Sequence, residues 1–452
     1  MITEAKTSLP IRRWPAILIA ALAGIALIVI WILPDFSAQQ RILNSVISLI
    51  ITLALLLLWA LLFSRLRWKI RVLILSIALL KVSLLISLVQ IRGVSGDLLP
   101  ILGWSWTAKP GENLGPAASM IADPSSREEP AKVLASGPGY PQFLGPDRNA
   151  TVRGIKLERD WEAHPPAFLW RRPIGAGWSG FAVLGEYAIT QEQRGDEEMV
   201  VCYDLLSGEI LWAHSDVAGY ESSVTGDGPR ATPTINAGRV YTFGGTGILN
   251  CLDLTTGHRI WSKNTLTDNN AENVTWGASC SPLLVDSLVF VSAGGSNGKS
   301  LVAYHMDTGE FIWGGGSDPA AYSSPLIATL AGTPQIIIFN DASISAHNPQ
   351  DGKLLWRQPW PSEGENVVQP VPLPGDRVLV SAGYGIGTKL FQIEKKEAGS
   401  FSVNLVWESR GLKAKFANVV HKDGFLYGLD NGILVCLDLS DGKRKWKRGR
   451  YG

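Results

Sequence analysis

Charge is scarce in this chain. Asp, Glu, Lys and Arg make up 18% of its 452 residues, and they nearly cancel, leaving a net charge of +1. The usual share is about a quarter. A domain that grips nucleic acid by its phosphates needs a basic surplus, so that class of partner is excluded. Cysteine is equally sparse, with four residues: Cys202, Cys251, Cys280 and Cys436. No two stand in CxxC spacing, so zinc-ribbon and thioredoxin readings have no support. No cysteine precedes Cys202, so lipid attachment near the N-terminus is not expected. Three of the four recur in one context, Cys202-Tyr-Asp, Cys251-Leu-Asp and Cys436-Leu-Asp. Equivalent positions in separate repeats lie far apart, so these are expected to be buried free thiols, packed as small hydrophobes. The six histidines (164, 214, 258, 305, 347 and 421) show no HExxH or other paired spacing. Gly294-Gly295-Ser296-Asn297-Gly298 has the letters of a nucleophile elbow but sits between two strands, which is the wrong setting for one. Arg194-Gly195-Asp196 reads as a solvated hairpin loop.

Long apolar runs are present, and nearly all lie in the first 92 residues. Trp14 to Leu33 carries no charge, and Ile42 to Phe63 is broken only by Asn44, Ser45 and Ser48. About 20 such residues cross the hydrocarbon core of a bilayer. Val72 to Ile91 is a third candidate span, with Lys81 near its middle, a charge that would have to snorkel or face the bundle interior. The first run is too long for a cleavable signal peptide. Lys6, Arg12 and Arg13 precede the first span, Arg41 alone marks the first loop, and Arg65, Arg67, Lys69 and Arg71 crowd the second. Positive charge stays in the cytoplasm. The N-terminus and second loop are therefore expected there, with everything after Arg92 across a bacterial inner membrane in the periplasm. That side depends on the third span inserting. The division expected is a membrane anchor over 1–92, a flexible Pro/Ala/Ser/Gly/Glu-rich linker over 93–139, and a repeat domain over 140–452.

Within the repeat domain five units stand out: VCYDLLSGEILW (Val201 to Trp212), NCLDLTTGHRIW (Asn250 to Trp261), VAYHMDTGEFIW (Val302 to Trp313), SAHNPQDGKLLW (Ser345 to Trp356) and VCLDLSDGKRKW (Val435 to Trp446). A glycine stands four positions before each tryptophan: Gly208, Gly257, Gly309, Gly352 and Gly442. Asp204, Asp253 and Asp438 stand eight before, and His305 and Asn348 take that place in the other two units. A sixth unit, around Trp407, has lost the turn and carries an insertion, Lys395 to Ser402. With Trp170 as a lone copy of the last strand, the tryptophans are separated by 42, 49, 52, 43, 51 and 39 residues. That is the period of a four-stranded propeller blade. The aspartate and glycine are expected to shape a tight turn between the third and fourth strands. Trp170, Trp212, Trp261, Trp313, Trp356, Trp407 and Trp446 are each expected to bury an indole between neighbouring blades, a structural docking role.

The pattern resembles the tryptophan-docking repeat of the pyrroloquinoline-quinone (PQQ) propeller superfamily, which includes quinoprotein alcohol dehydrogenases and the outer-membrane assembly protein BamB. It is most similar to membrane-anchored bacterial PQQ-like repeat proteins. The likeness covers roughly Tyr140 to Gly452, and Pro141-Gln142-Phe143-Leu144-Gly145-Pro146-Asp147-Arg148 looks like that family's Pro-x-Phe-x-Gly-Pro-x-Arg lead-in. The fold implied is an all-β, quinoprotein-like propeller, nominally eight-bladed, preceded by transmembrane helices. Six full blades can be counted here, from about Phe181 to near Arg448, with Trp170 expected to supply the outer strand that closes the last. Set against eight, that count reads as truncation rather than as a smaller ring.

Quinoprotein dehydrogenases carry an adjacent Cys-Cys ring, calcium ligands and a catalytic aspartate; this chain has no Cys-Cys, and the other groups match no motif in it. No catalytic or metal-binding residue is therefore expected, and no cofactor, PQQ and calcium included. Loops entering each inner strand crowd one mouth of a propeller channel. There the candidate binding residues are Trp178, Arg230, Trp276, Ser281, Tyr322, Ser323, Gln369 and Asn418, the polar–aromatic mixture that binding surfaces favour. The expected function is a non-enzymatic membrane-tethered scaffold that presents this face to a protein or an envelope polymer. The alternative is a PQQ-dependent oxidoreductase of the inner membrane.

Overall fold

A computed structural model describes residues 12–32, 38–94, 100–108, 114, 139–222, 225–361, 365–397 and 399–451. It falls into two compact units, one holding the N-terminal helices and the other holding nearly all residues from 110 onward.

The first unit has three helices long and apolar enough to cross a bilayer. They are α1 (Trp14–Ile32), α2 (Ala38–Leu58), which runs on through a π-helical turn (Trp59–Phe63), and α3 (Trp68–Leu88). Their outward faces are leucine, isoleucine, valine and tryptophan, the composition that requires lipid rather than water around it. The chain is thus membrane-anchored. The turn between α2 and α3 is braced from within: Arg71 donates to the carbonyls of Leu61 at 2.7 Å and Leu66 at 3.0 Å. Lys81 is exposed on α3. The third span expected over 72–91 lies instead at 68–88, because Trp68, Lys69 and Arg71 form the helix's first turn rather than precede it. Val89–Val94 (β1) then pairs antiparallel with Pro100–Trp104 (β2), so a hairpin stands where the linker was expected to begin. The remainder of the expected linker, apart from 105–108, 114 and 139, lies outside the described residues.

The second unit contains six four-stranded antiparallel sheets, each a meander of consecutive strands. The first blade is Ala182–Leu184, Tyr187–Arg194, Glu197–Asp204 and Ile210–Asp216. The second is Thr234–Asn236, Arg239–Phe243, Ile248–Asp253 and Arg259–Asn264, and the sixth ends the series with Arg444–Arg448. Five apolar clusters join each blade to the next. This is the all-β propeller architecture implied by the repeats.

The repeated turn works by side-chain mimicry of backbone. Asp253 Oδ1 accepts from the N–H groups of Thr255 and Thr256 at 3.0 and 2.9 Å, and Gly257 N–H donates to Asp253 O at 2.9 Å. Such Asx turns free the chain to reverse. Where aspartate is absent another acceptor takes its place: His305 Nδ1 accepts from Asp307 N–H at 3.2 Å, and Asn348 Oδ1 from Gln350 N–H at 2.8 Å. The turn is also the receptor for the preceding blade's tryptophan. Trp212 donates to Leu254 O, Trp261 to Met306 O, Trp313 to Pro349 O and Trp407 to Leu439 O, at 2.8 to 3.0 Å. The turn glycine closes over each ring; at Gly309, φ +67°, an added Cβ would lie 2.7 Å from the Trp261 ring.

Two units depart from the rule. The fifth blade lacks the turn because its insertion lengthens the last two strands to nine residues each, Gly387–Lys395 and Phe401–Ser409. Trp356 therefore finds no receptor carbonyl ahead and donates to Gln335 Oε1 of its own blade at 2.6 Å. Trp170 docks on the first blade as the others do, donating to Leu205 O at 3.0 Å under Gly208. It belongs to no strand, however, and the sixth sheet draws all four strands from 420–448, so the closing strand expected at Trp170 is not formed.

Candidate functional site

In an antiparallel meander the loops that enter each first strand share one end of the sheets with the second-to-third-strand hairpins. Arg230, Trp276 and Tyr322 come from three successive loops at that end. The Arg230 guanidinium lies 4.5 Å from the centroid of the Tyr220 ring, within cation–π range. Tyr220 is fixed at both ends: its N–H donates to Gln193 Oε1 at 2.9 Å and its hydroxyl to Thr275 O at 2.6 Å. Trp276 and Tyr322 pack with ring centroids 6.3 Å apart. Burial raises the Tyr322 hydroxyl, with the Glu365 charge adding to the effect. It also raises the Glu365 carboxyl and lowers the Arg230 guanidinium. Trp178 stands beside this group through a 2.8 Å bond from its N–H to Pro229 O and is 65% exposed.

The remaining candidates line the inner ends of the blades and are spent on backbone. Ser281 Oγ accepts from Thr232 N–H at 2.9 Å, and Ser324 Oγ accepts from Ser281 N–H at 2.9 Å. Asn418 Oδ1 accepts from Gln369 N–H at 2.8 Å. Ser323 is buried with its hydroxyl unpartnered. These contacts enclose the lead-in segment. Tyr140 bridges Val183 of the first blade and Pro141 O accepts from Ile235 N–H of the second. Buried Arg148 donates to Ser281 O at 3.1 Å and Pro282 O at 3.0 Å ahead of the third blade, and its own carbonyl accepts from Gln369 Nε2 at 2.8 Å. Burial without a carboxylate in that set lowers the guanidinium to about 10. The lead-in is thus a clasp across four blades.

Sequence reasoning missed Tyr220, Glu365 and the role of Arg148. The first two sit outside the repeated motif, and the only signal for Arg148 was its place in the lead-in. One arrangement imitates catalysis: Ser345 Oγ lies 3.1 Å from His347 Nε2, whose Nδ1 bonds Gly352 O at 3.0 Å. Ser345 is 3% exposed and His347 0%, and burial lowers the imidazole's pKa, so the pair is a strand-to-turn brace rather than a nucleophile and base. Ser296 of the elbow-like letters lies in a β-hairpin turn. All four cysteines are free and buried. Among the described residues no group of three or more His, Cys, Asp or Glu is placed to hold a metal ion.

A family model described as outer membrane protein assembly factor BamB matches residues 196–448, more than half of the chain. No curated protein matches significantly. Among solved structures, BamB from Moraxella catarrhalis is 15% identical, with 62% of this chain and 76% of that one covered at a TM-score of 0.42. Quinohemoprotein alcohol dehydrogenase from Comamonas testosteroni is 12% identical, with coverages of 75% and 77% and a TM-score of 0.42. A europium-containing methanol dehydrogenase is 13% identical, with coverages of 60% and 68% and the same TM-score of 0.42. Likeness at those scores carries nothing about activity.

Proposed function

The chain belongs to the outer membrane protein assembly factor BamB family, and from that premise we propose that it is a non-enzymatic, membrane-tethered propeller scaffold whose loop-bearing mouth docks a protein of the cell envelope. The observation that carries this reading is the aromatic and cationic group at that mouth: Tyr220 under Arg230, Trp276 against Tyr322, and Trp178 exposed beside them. Tryptophan, tyrosine and arginine are the residues that dominate binding energy at protein interfaces. Tyr220 is held by its hydrogen bonds to Gln193 and Thr275 before any partner arrives, which lowers the ordering cost of binding. A protein fits this group better than a polymer, because its features are few and concentrated. Ser281, Gln369 and Asn418 support the mouth by holding the blades and the lead-in in place, and Ser323 is buried among them. No cofactor enters this reading, and the PQQ-dependent alternative lacks the adjacent cysteines in sequence.

The basic residues Arg12 and Arg13 before α1, Arg65 and Arg67 between α2 and α3, and Lys69 and Arg71 in the first turn of α3 support a cytoplasmic N-terminus. Three crossings then set the propeller in the periplasm, tethered by the segment after the β1–β2 hairpin. The test is photocrosslinking in intact cells from residue analogues at Trp178 and Trp276, with Leu206 as control. Leu206 is 71% exposed in the first blade's third-to-fourth-strand turn, at the opposite end of the sheet. Discrete adducts from the two mouth positions and none from the control are expected. Equal adducts from all three, or none from the mouth, would refute the docking assignment.

A further inference from the structure

Near Tyr220, the interface between the first two blades encloses a small space where carboxylate and amide oxygens meet apolar side chains. Glu198 is the second residue of the third strand of the first blade and Asp216 ends the fourth, and the two are register partners in the sheet. Like charges directly opposite each other repel. Water dilutes that repulsion little, since Glu198 is 6% exposed and the Asp216 side chain 12%. The second blade brings Asn250, 2% exposed, to the same place. Its Nδ2 donates to Asp216 Oδ2 at 2.6 Å, and its Oδ1 has no hydrogen-bond partner. Turning the amide over would set two oxygens against each other, so the orphaned Oδ1 follows from the geometry. These groups line a cavity of about 10 Å3 together with the apolar side chains of Met199, Val200 and Ile248, close to the space one water-sized sphere needs.

We infer that this cavity is a site for one hard divalent cation of calcium's class, with Glu198, Asp216 and Asn250 Oδ1 as its oxygen donors. The walls are rich in acceptors. Glu198 already accepts from Gly245 N–H at 2.8 Å and Thr246 Oγ1 at 3.0 Å, yet each carboxylate oxygen keeps a further lone pair. The other side chains beside Asp216, Arg259 at 3.6 Å and His214 at 3.5 Å, do not line the cavity. Two carboxylates and an amide oxygen match the irregular all-oxygen sets calcium accepts. Magnesium demands near-ideal octahedral geometry, which this irregular set does not offer. Zinc's preference for nitrogen and sulfur is not met by the lining. The site belongs to the blade interface and not to the channel, and it is independent of the docking role proposed for the mouth. A cation there would tie the first two blades together directly under the Tyr220–Arg230 stack.

The experiment is calcium calorimetry and thermal melting on the full chain in detergent, after removal of divalent ions by a chelator. Saturable binding of one calcium per chain is expected, with a rise in melting temperature that magnesium at the same concentration does not reproduce. Glu198→Gln should weaken binding by about tenfold or more. Asn250→Ala removes the orphaned oxygen and should also weaken binding by about tenfold, and this variant decides the matter if Glu198→Gln fails to fold. No calcium binding by the folded wild-type chain would overturn the site and leave the cavity to a water molecule. Unchanged affinity in Asn250→Ala would overturn it as well.

Discussion

Gly309 and Gly332 offer a matched pair for testing how the blades lock. Both glycines have positive φ, +67° and +69°. A Cβ at Gly332 meets nothing within 4 Å, whereas one at Gly309 would lie 2.7 Å from Trp261 Cδ2 and 2.8 Å from Cε3. Alanine at either position bears the left-handed backbone cost of about 1–2 kcal/mol. At Gly309 it must also displace the indole, and overpacking of this kind adds about 1–3 kcal/mol. Moving the ring also stretches its 2.9 Å bond to Met306 O. Gly309→Ala is therefore expected to destabilise by about 2–5 kcal/mol and Gly332→Ala by about 1–2 kcal/mol. Urea unfolding of the full chain in detergent, followed by tryptophan fluorescence, measures both. Equal losses would refute the claim that the turn glycine is shaped by the docked tryptophan rather than by backbone alone.

Trp446 is half-buried and its indole nitrogen finds no receptor carbonyl among the described residues, unlike Trp261. Trp446→Phe should therefore cost less than Trp261→Phe, by about the 1 kcal/mol a hydrogen bond contributes, in the same unfolding assay. Arg148→Ala removes the donor for Ser281 O and Pro282 O and should destabilise the propeller by about 1–3 kcal/mol, read as a lower urea midpoint. Burial pushes the Glu198 carboxyl up from 4.5 to about 6. The folded chain thus holds that proton more tightly than the unfolded one, and stability should fall as pH rises from 4.5 to about 6, then level off. Chelator-treated wild type should show this slope, by about 2 kcal/mol, and Glu198→Gln should lack it. All four native cysteines are buried, so a Leu206→Cys chain should react with an impermeant maleimide in cells with a permeabilised outer membrane. No labelling until the inner membrane is opened would put the propeller in the cytoplasm.

The blades were legible because their constraint repeats. Each tryptophan needs a turn with a free carbonyl and a glycine above it, and this requirement writes the same letters five times. Even the substitutions at His305 and Asn348 obey it, since either can accept the Asx-turn bond. The fifth blade was recognised by its inserted residues, but not the consequence that Trp356 turns back to Gln335. The end of the third span was not legible. Val89, Ile91 and Val94 suit a helix in lipid as well as the β-hairpin strand they form, and short apolar runs do not separate the two by pattern. The site was read only in part. Arg230, Trp276 and Tyr322 were read from loops that share one end of the sheets, but Tyr220 and the Glu198–Asp216–Asn250 cavity depend on contacts between blades, which no spacing within one blade records. Gln369 is polar for the lead-in's sake and Ser281 and Asn418 for the backbone of neighbouring blades, roles visible only once contacts between blades are seen.

The scaffold assignment meets its most direct test in PQQ binding to the full chain in detergent, with calcium present throughout, scored by cofactor absorbance and by dye reduction with alcohols or sugars as donors. A folded chain that binds no PQQ saturably and reduces no dye is the predicted result. Saturable binding with donor-dependent dye reduction would contradict the scaffold and make the protein an oxidoreductase.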